Sequence, residues 1–156
     1  GNPTTPEIVY GFGPSFHYKG FDFSFFFQGV AKTSLFMSGL QPFGTMMENK
    51  NVQKFIADDR WSPENQNIFA EYPRLTIERS ANNSTTSTYW ERNGAFLKLK
   101  NAEIGYTFKS MRLYLRGSNL LTFSKFKLWD PEQGGGNGLK YPTQRVFNIG
   151  FQMTIK

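Results

Sequence analysis

The chain has 156 residues, enough for one ordinary domain, and its 18 Lys and Arg against 12 Asp and Glu give a net charge of +6. That charge suits nucleic acid, an anionic membrane surface or simple solubility, but no basic cluster exceeds two residues and no RNP-like, helix-turn-helix or finger spacing occurs, so no nucleic-acid partner is expected. Cys is absent and His occurs once, which excludes disulfides and thiolate metal sites, whereas 17 Phe, 7 Tyr and 3 Trp make 17% of the chain aromatic and favour strands.

The first alternating stretch sets Ile8, Tyr10, Phe12, Phe16 and Tyr18 against Val9, Gly11, Gly13, Ser15 and His17. Pro14 removes a ladder donor, so a bulge or break is expected there. Lys19-Gly20 makes a very short turn, and Phe21, Phe23, Phe25 and Phe27 answer with a second aromatic face backed by Asp22, Ser24 and Gln28, which reads as a hairpin.

From about residue 32 to 94 the alternation stops. Pro42, Pro63 and Pro73 and the run SANNSTTST interrupt the region, and Thr45 to Asp58 reads as a short helix. A connection this long is functional or disordered, and its rings and aliphatics argue for a folded one. Alternation returns in AFLKLKNAEIGYTF, where Ala102, Ile104, Tyr106 and Phe108 share a face and Lys98 and Lys100 extend it toward the loop end. A turn at Lys109-Ser110 leads to a fourth strand, Met111 to Phe123, whose second half, GSNLLTF, is ambiguous in register. After a second irregular loop, at about 124–143, the final strand RVFNIGFQMTIK sets Phe147, Ile149, Phe151, Met153 and Ile155 against Asn148, Gly150, Gln152 and Thr154.

No stretch approaches the run of about 18 apolar residues that a membrane helix needs, but barrel strands need only about 9–11 alternating residues each. Two tiny turns alternate with two long loops, which in an up-and-down barrel places the turns at one end and the loops at the other, the arrangement of outer-membrane barrels. The N-terminal GNPTTPEIVY has neither a basic n-region nor an apolar h-region, so either a signal has been removed or the chain starts inside a longer protein.

Candidate chemistry is sparse. Gly134-Gly135-Gly136-Asn137-Gly138 lacks the Lys-Ser/Thr that follows in a phosphate-binding loop and reads as a flexible turn. Asp130, Glu132 and Asn137 lack calcium-loop spacing and read as a solvated loop; Asp58-Asp59 forms no recognisable carboxylate pair; His17 has no nucleophile partner. No catalytic, cofactor or metal residue is assigned, and the chain is not expected to be an enzyme. Trp61, Tyr89, Trp90, Trp129 and Tyr141 lie in or beside the loops and are candidate ligand or lid contacts, with loop packing as the competing reading for each. Phe147, Ile149, Phe151 and Met153 are assigned to lipid, and Lys98 and Lys100 to the same face, at the interface where anionic headgroups receive them.

Four pieces, NPTTPEIVYGFGPSFHYKGFDFSFFFQGV, WERNGAFLKLKNAEIGYTF, MRLYLRGSNLLTFSKFKLWDPE and YPTQRVFNIGFQMTIK, together resemble, in order and spacing, the C-terminal part of SusC/RagA-like, TonB-dependent outer-membrane transporters. The resemblance implies an all-β fold: the last five antiparallel strands, at about 7–18, 21–31, 95–108, 111–123 and 144–156, of a large, about 22-stranded transmembrane β-barrel with long extracellular loops at about 32–94 and 124–143. It implies a multi-pass protein of the Gram-negative cell outer membrane, part of an importer of glycans or peptides. The implied partners are a SusD-like surface lipoprotein, oligosaccharide or peptide cargo, outer-membrane lipid, and the TonB complex through an N-terminal part that lies outside this chain with the plug and most of the barrel. Many such barrels end in an aromatic residue, whereas Lys156 ends this sequence. A soluble all-β carbohydrate-binding module, with its aromatic faces buried between two sheets, is the alternative.

Overall fold

The computed structural model describes residues 1–37, 52–77 and 80–155. They form two compact units: residues 35–92 with 135–140 and Gly1, and residues 2–34, 93–134 and 141–156. The second unit is a six-stranded antiparallel sheet. Its path runs β1 (Ile8–Phe12), β3 (Phe21–Ala31), β6 (Phe96–Phe108), β7 (Met111–Ser124) and β8 (Val146–Met153), and β2 (Ser15–Tyr18) also pairs with β3.

The sequence dictates this locally. β1 and β2 are separated at Gly13-Pro14, where the proline has no N–H to give and its carbonyl accepts from Phe25 N instead (3.4 Å). The β2–β3 turn places Lys19 and Gly20 at φ 46° and 86°, the two left-handed positions that match the twist of paired strands. Lys109, at φ 52°, opens the equivalent turn between β6 and β7. The long connections leave the opposite end of the sheet, past the aligned Val30, Phe96 and Ser124.

Register sorts the side chains into two faces. Phe23 pairs with Ile104, Ile104 with Leu115 and Leu115 with Ile149, so one apolar row crosses four strands, with parallel rows through Phe21 and Phe25. The rings touch: Phe12 stacks on Phe27 at 5.3 Å and Phe21 lies 4.5 Å from Tyr106. The opposite face carries Asp22, Glu103, Arg112, Tyr114, Asn148 and Gln152. There Arg112 bonds both Asp22 and Glu103 and lies over the Tyr114 ring at 4.8 Å, while Tyr114 covers Gly150 so closely that a Cβ at that position would meet the ring.

The two lysines correct the sequence reading. Between Leu99 and Asn101 the register shifts on both sides of β6, leaving Lys100 as an extra residue against β3 and opposite Asn119-Leu120 of β7. Asn119 takes φ 54° to accommodate the irregularity. Beyond the bulge the parity of β6 changes: Leu97 and Leu99 continue the apolar face beside Phe27, Leu121 and Phe123, and Lys98 turns to the polar face. Lys98 and Lys100 therefore do not project from the apolar face. The bulge also fixes the register of GSNLLTF, with Ser118 opposite Asn101 and Leu121 opposite Leu99.

In the first unit, β4 (Ser34–Phe36) pairs with β5 (Glu91–Asn93), so the long connection begins and ends as a short ribbon. It also holds α1 (Lys54–Asp58), α2 (Ala81–Ser84) and a 3-10 turn at Thr88–Trp90. Of the helix expected over Thr45 to Asp58, α1 is the described part, and 45–51 lie outside the described residues, as do Pro42 and Lys156. Among the described residues of this unit, Ile56, Tyr72 and Trp90 are the buried apolar side chains, with Leu35 and Met37. No described helix is long and apolar enough to cross a membrane.

Candidate functional site: an apolar outer face, a loop clamp and an aromatic cavity

Three features have the chemistry of function, and each grows from the elements just given. The apolar face of the sheet is the largest. Phe147, Ile149, Phe151 and Met153 alternate along β8 on this face, and all four are exposed, Ile149 at 74%. Leu113 and Leu115 on β7 and Phe16 and Tyr18 on β2 are exposed beside them, so the face continues across the sheet. Contiguous exposed apolar area of this extent marks a surface that meets something other than water.

The second feature is a clamp on the polar face. Lys98 Nζ, with the residue 1% exposed, donates to Asp130 at 2.5 Å and Glu132 at 2.7 Å, and Lys100 Nζ donates to the other Glu132 oxygen at 2.6 Å. Asp130 also caps the 3-10 turn Pro131–Gln133 by accepting from Glu132 N. Burial opposes ionisation of Asp130, but the bonds from Lys98, Glu132 N and Thr143 outweigh it and hold the carboxyl below its ordinary range. Glu132 is held low in the same way, with Lys100 and Lys98 overcoming the cost of burial. These carboxylates are thus committed to lysines, Glu132 remaining part-exposed, and among the described residues no group of acidic or imidazole side chains forms a metal site. The clamp was missed in the sequence, although a signal was present: placing two lysines on an apolar face should have prompted a phase change at Lys100.

The third feature is a cavity of about 420 Å³ in the first unit. Trp61, Tyr89 and Trp90, three of the five loop aromatics singled out in the sequence, line it together with Tyr72. Trp90 is 3% exposed and donates its Nε1–H to Asn83 O at 2.9 Å, so it forms wall and core at once. Tyr89, 44% exposed, sits edge-on to Trp90 at 4.6 Å and donates its hydroxyl to Glu71 O at 2.5 Å. Burial pushes the Tyr72 and Tyr89 phenols up, so both remain neutral at physiological pH. Trp129 and Tyr141 do not line this cavity and belong to the other unit. Trp129 packs edge-on against Phe126 at 4.6 Å and donates to Gly134 O, a packing role. Tyr141 is 79% exposed, and its hydroxyl accepts from Gln144 Nε2.

An antiparallel sheet with short turns at one end, long connections at the other, an exposed apolar face and a charged opposite face is a segment of transmembrane β-barrel wall. Comparison with known proteins agrees. No family model matches the chain. It is 30% identical over 177 residues to TonB-dependent receptor P26 of Formosa agariphila, covering 96% of this chain and 17% of that protein, and 31% identical over 176 residues to TonB-dependent receptor P3 of the same organism, covering 98% and 17%. It is 24% identical over 159 residues to TonB-dependent receptor SusC of Bacteroides thetaiotaomicron, covering 94% and 15%. Among solved structures, the RagAB peptide transporter superposes with a TM-score of 0.75 at 24% identity over 96% of this chain and 17% of that one. The RagAB peptide importer in its closed-closed state gives 0.72 at 25% identity, over 96% and 17%. The chain is a C-terminal barrel segment of a SusC/RagA-like, TonB-dependent receptor. It spans 15–17% of the length of the curated relatives named here.

Proposed function

We propose that the protein containing this chain is an outer-membrane importer that takes up glycans or peptides with energy delivered by the TonB complex, and that this chain supplies barrel wall and extracellular loops. A SusD-like surface lipoprotein would cooperate in capture at the loop end. The chain would do no chemistry and hold no cofactor; the matched relatives are named as receptors and transporters. The observation that carries the reading is the pairing of an exposed apolar face with a charged one across all the long strands. Phe147, Ile149, Phe151 and Met153 would meet lipid, the clamp and the Arg112 cluster would face the lumen, and the connections at 32–94 and 124–143 would lie outside the cell.

The rival, a soluble carbohydrate-binding module, requires the aromatic face to be buried under a second sheet. The exposure of that face along β2, β7 and β8 weighs against it. The test is uptake in cells. Deleting the full gene, or disabling the TonB complex, should abolish accumulation of the cargo, and accumulation that persists in both strains would refute the importer.

A further inference from the structure

The cavity in the long connection has a chemical character of its own. We infer that it is a subsite for a neutral sugar residue, a site that deepens the import reading and rests on it. Two kinds of surface meet there. Trp61 and Tyr89 offer partly exposed rings, and the buried Tyr72 and Trp90 close the wall. Beside them lie Asn82 and Asn83, neutral amides. Sugars present this same pair of surfaces, apolar C–H faces that lie on rings and hydroxyls that need neutral donors and acceptors.

The unmatched polar atoms carry the argument further. Tyr72 is only 5% exposed, lines the cavity, and its hydroxyl makes no hydrogen bond among the described residues. Among the described residues nothing satisfies it, and a hydroxyl entering from the cavity would. Trp61 Nε1 and the side-chain amides of Asn82 and Asn83 make no hydrogen bond among the described residues either, but these residues are exposed or part-exposed and open to water or a ligand. An apolar peptide side chain would leave the Tyr72 hydroxyl unmatched, whereas a sugar hydroxyl would satisfy it. Among the described residues no charged side chain lines the cavity, and none of them balances a carboxylate, a sulfate or a peptide terminus there. Glu71 and Arg92, which hold Tyr89, pair with each other at 3.1 Å.

The test uses the full-length receptor in detergent. Fluorescent neutral gluco-, xylo- and manno-oligosaccharides of about four to eight residues, their uronate-containing and sulfated counterparts, and mixed peptides of similar size would be titrated against wild type, Tyr89→Ala, Tyr89→Phe and Tyr72→Phe. At least one neutral series should bind, with Tyr89→Ala weakening it about tenfold or more, Tyr72→Phe weakening it several-fold, and Tyr89→Phe close to wild type. Heat-modifiable folded protein should be unchanged in all three variants. The inference is overturned if no neutral series binds, if binding ignores both Tyr89→Ala and Tyr72→Phe, or if acidic sugars or peptides show the Tyr89 dependence instead. Uptake by intact cells separates the two readings: TonB-dependent uptake of a cargo that ignores these variants removes the subsite and leaves the importer standing, whereas absence of all such uptake removes the importer.

Discussion

At the scale of single residues, Lys98 shows how a charge is tolerated deep in this structure. Its ammonium is out of water, and two carboxylates on the β7–β8 connection surround it. Removing Lys98 leaves the largely buried Asp130 without its ammonium partner, while Glu132 keeps Lys100; breaking a buried ion pair typically costs about 3–5 kcal/mol. Lys98→Met should therefore free the 124–143 connection, seen as faster amide exchange there, while Lys100→Met, which removes only the more exposed contact, should have a smaller effect. The pH dependence follows from the carboxyls. Both are held below their ordinary range when folded, so their contribution is complete above the ordinary carboxylate range of about pH 4–5 and is lost as pH falls below it. Exchange protection of Asp130 to Gln133 should be flat from pH 8 to about 5 and collapse below it, and Lys98→Met should shrink that step, because Glu132 N and Thr143 still hold Asp130 and Lys100 still holds Glu132.

At the scale of elements, β8 and β3 were legible because period-two alternation runs through them almost unbroken, Phe26 and Val30 in β3 and Val146 in β8 being the apolar exceptions on the polar side. β6 was misread for the same reason. Its apolar residues sit at 97 and 99 on one side of Lys100 and at 102, 104, 106 and 108 on the other, an odd offset that only an extra residue reconciles. Strict alternation instead carried both lysines onto the apolar face. Inserting one residue after Leu99, with the one-residue bulge kept, should shift the parity again and turn Lys98 outward and Leu97 and Leu99 inward. A lysine on a lipid face costs roughly 2–4 kcal/mol at mid-membrane and about 0–1 near the interface, and the clamp would be lost as well. Folded receptor in the outer membrane should fall sharply for that insertion, while Asn119→Gly, which keeps the left-handed backbone, should assemble normally. The cavity was only half legible. Trp61, Tyr89 and Trp90 stood out by type, but the convergence of Tyr72 and two asparagines depends on loop packing that has no period. Trp129, equally conspicuous by type, turned out to fill its own loop.

At the scale of the whole molecule, the chain is understandable only as part of a larger wall. β1 and β8 end the sheet path with one edge each unpaired among the described residues, and the apolar face is exposed. Expressed alone it should aggregate; a monodisperse monomer in detergent-free buffer with native β content would argue for the soluble module. In the full-length receptor on intact cells lacking the lipoprotein lid, an epitope inserted within SANNSTTST should be detectable, and detection only after the outer membrane is broken would invert the topology.

The central claim is that one face of this sheet meets lipid and the other a polar lumen, and neighbouring residues of β8 test it most directly. Phe151 and Gln152 lie at nearly the same depth on opposite faces. Phe151→Arg and Gln152→Arg should be made in the full-length receptor, and heat-modifiable folded protein measured in isolated outer membranes. Phe151→Arg, carrying roughly 2–4 kcal/mol if the site is at mid-membrane, should lose most of the folded form, and Gln152→Arg should match wild type. Equal tolerance of the two substitutions, or greater damage from Gln152→Arg, would contradict the barrel-wall assignment.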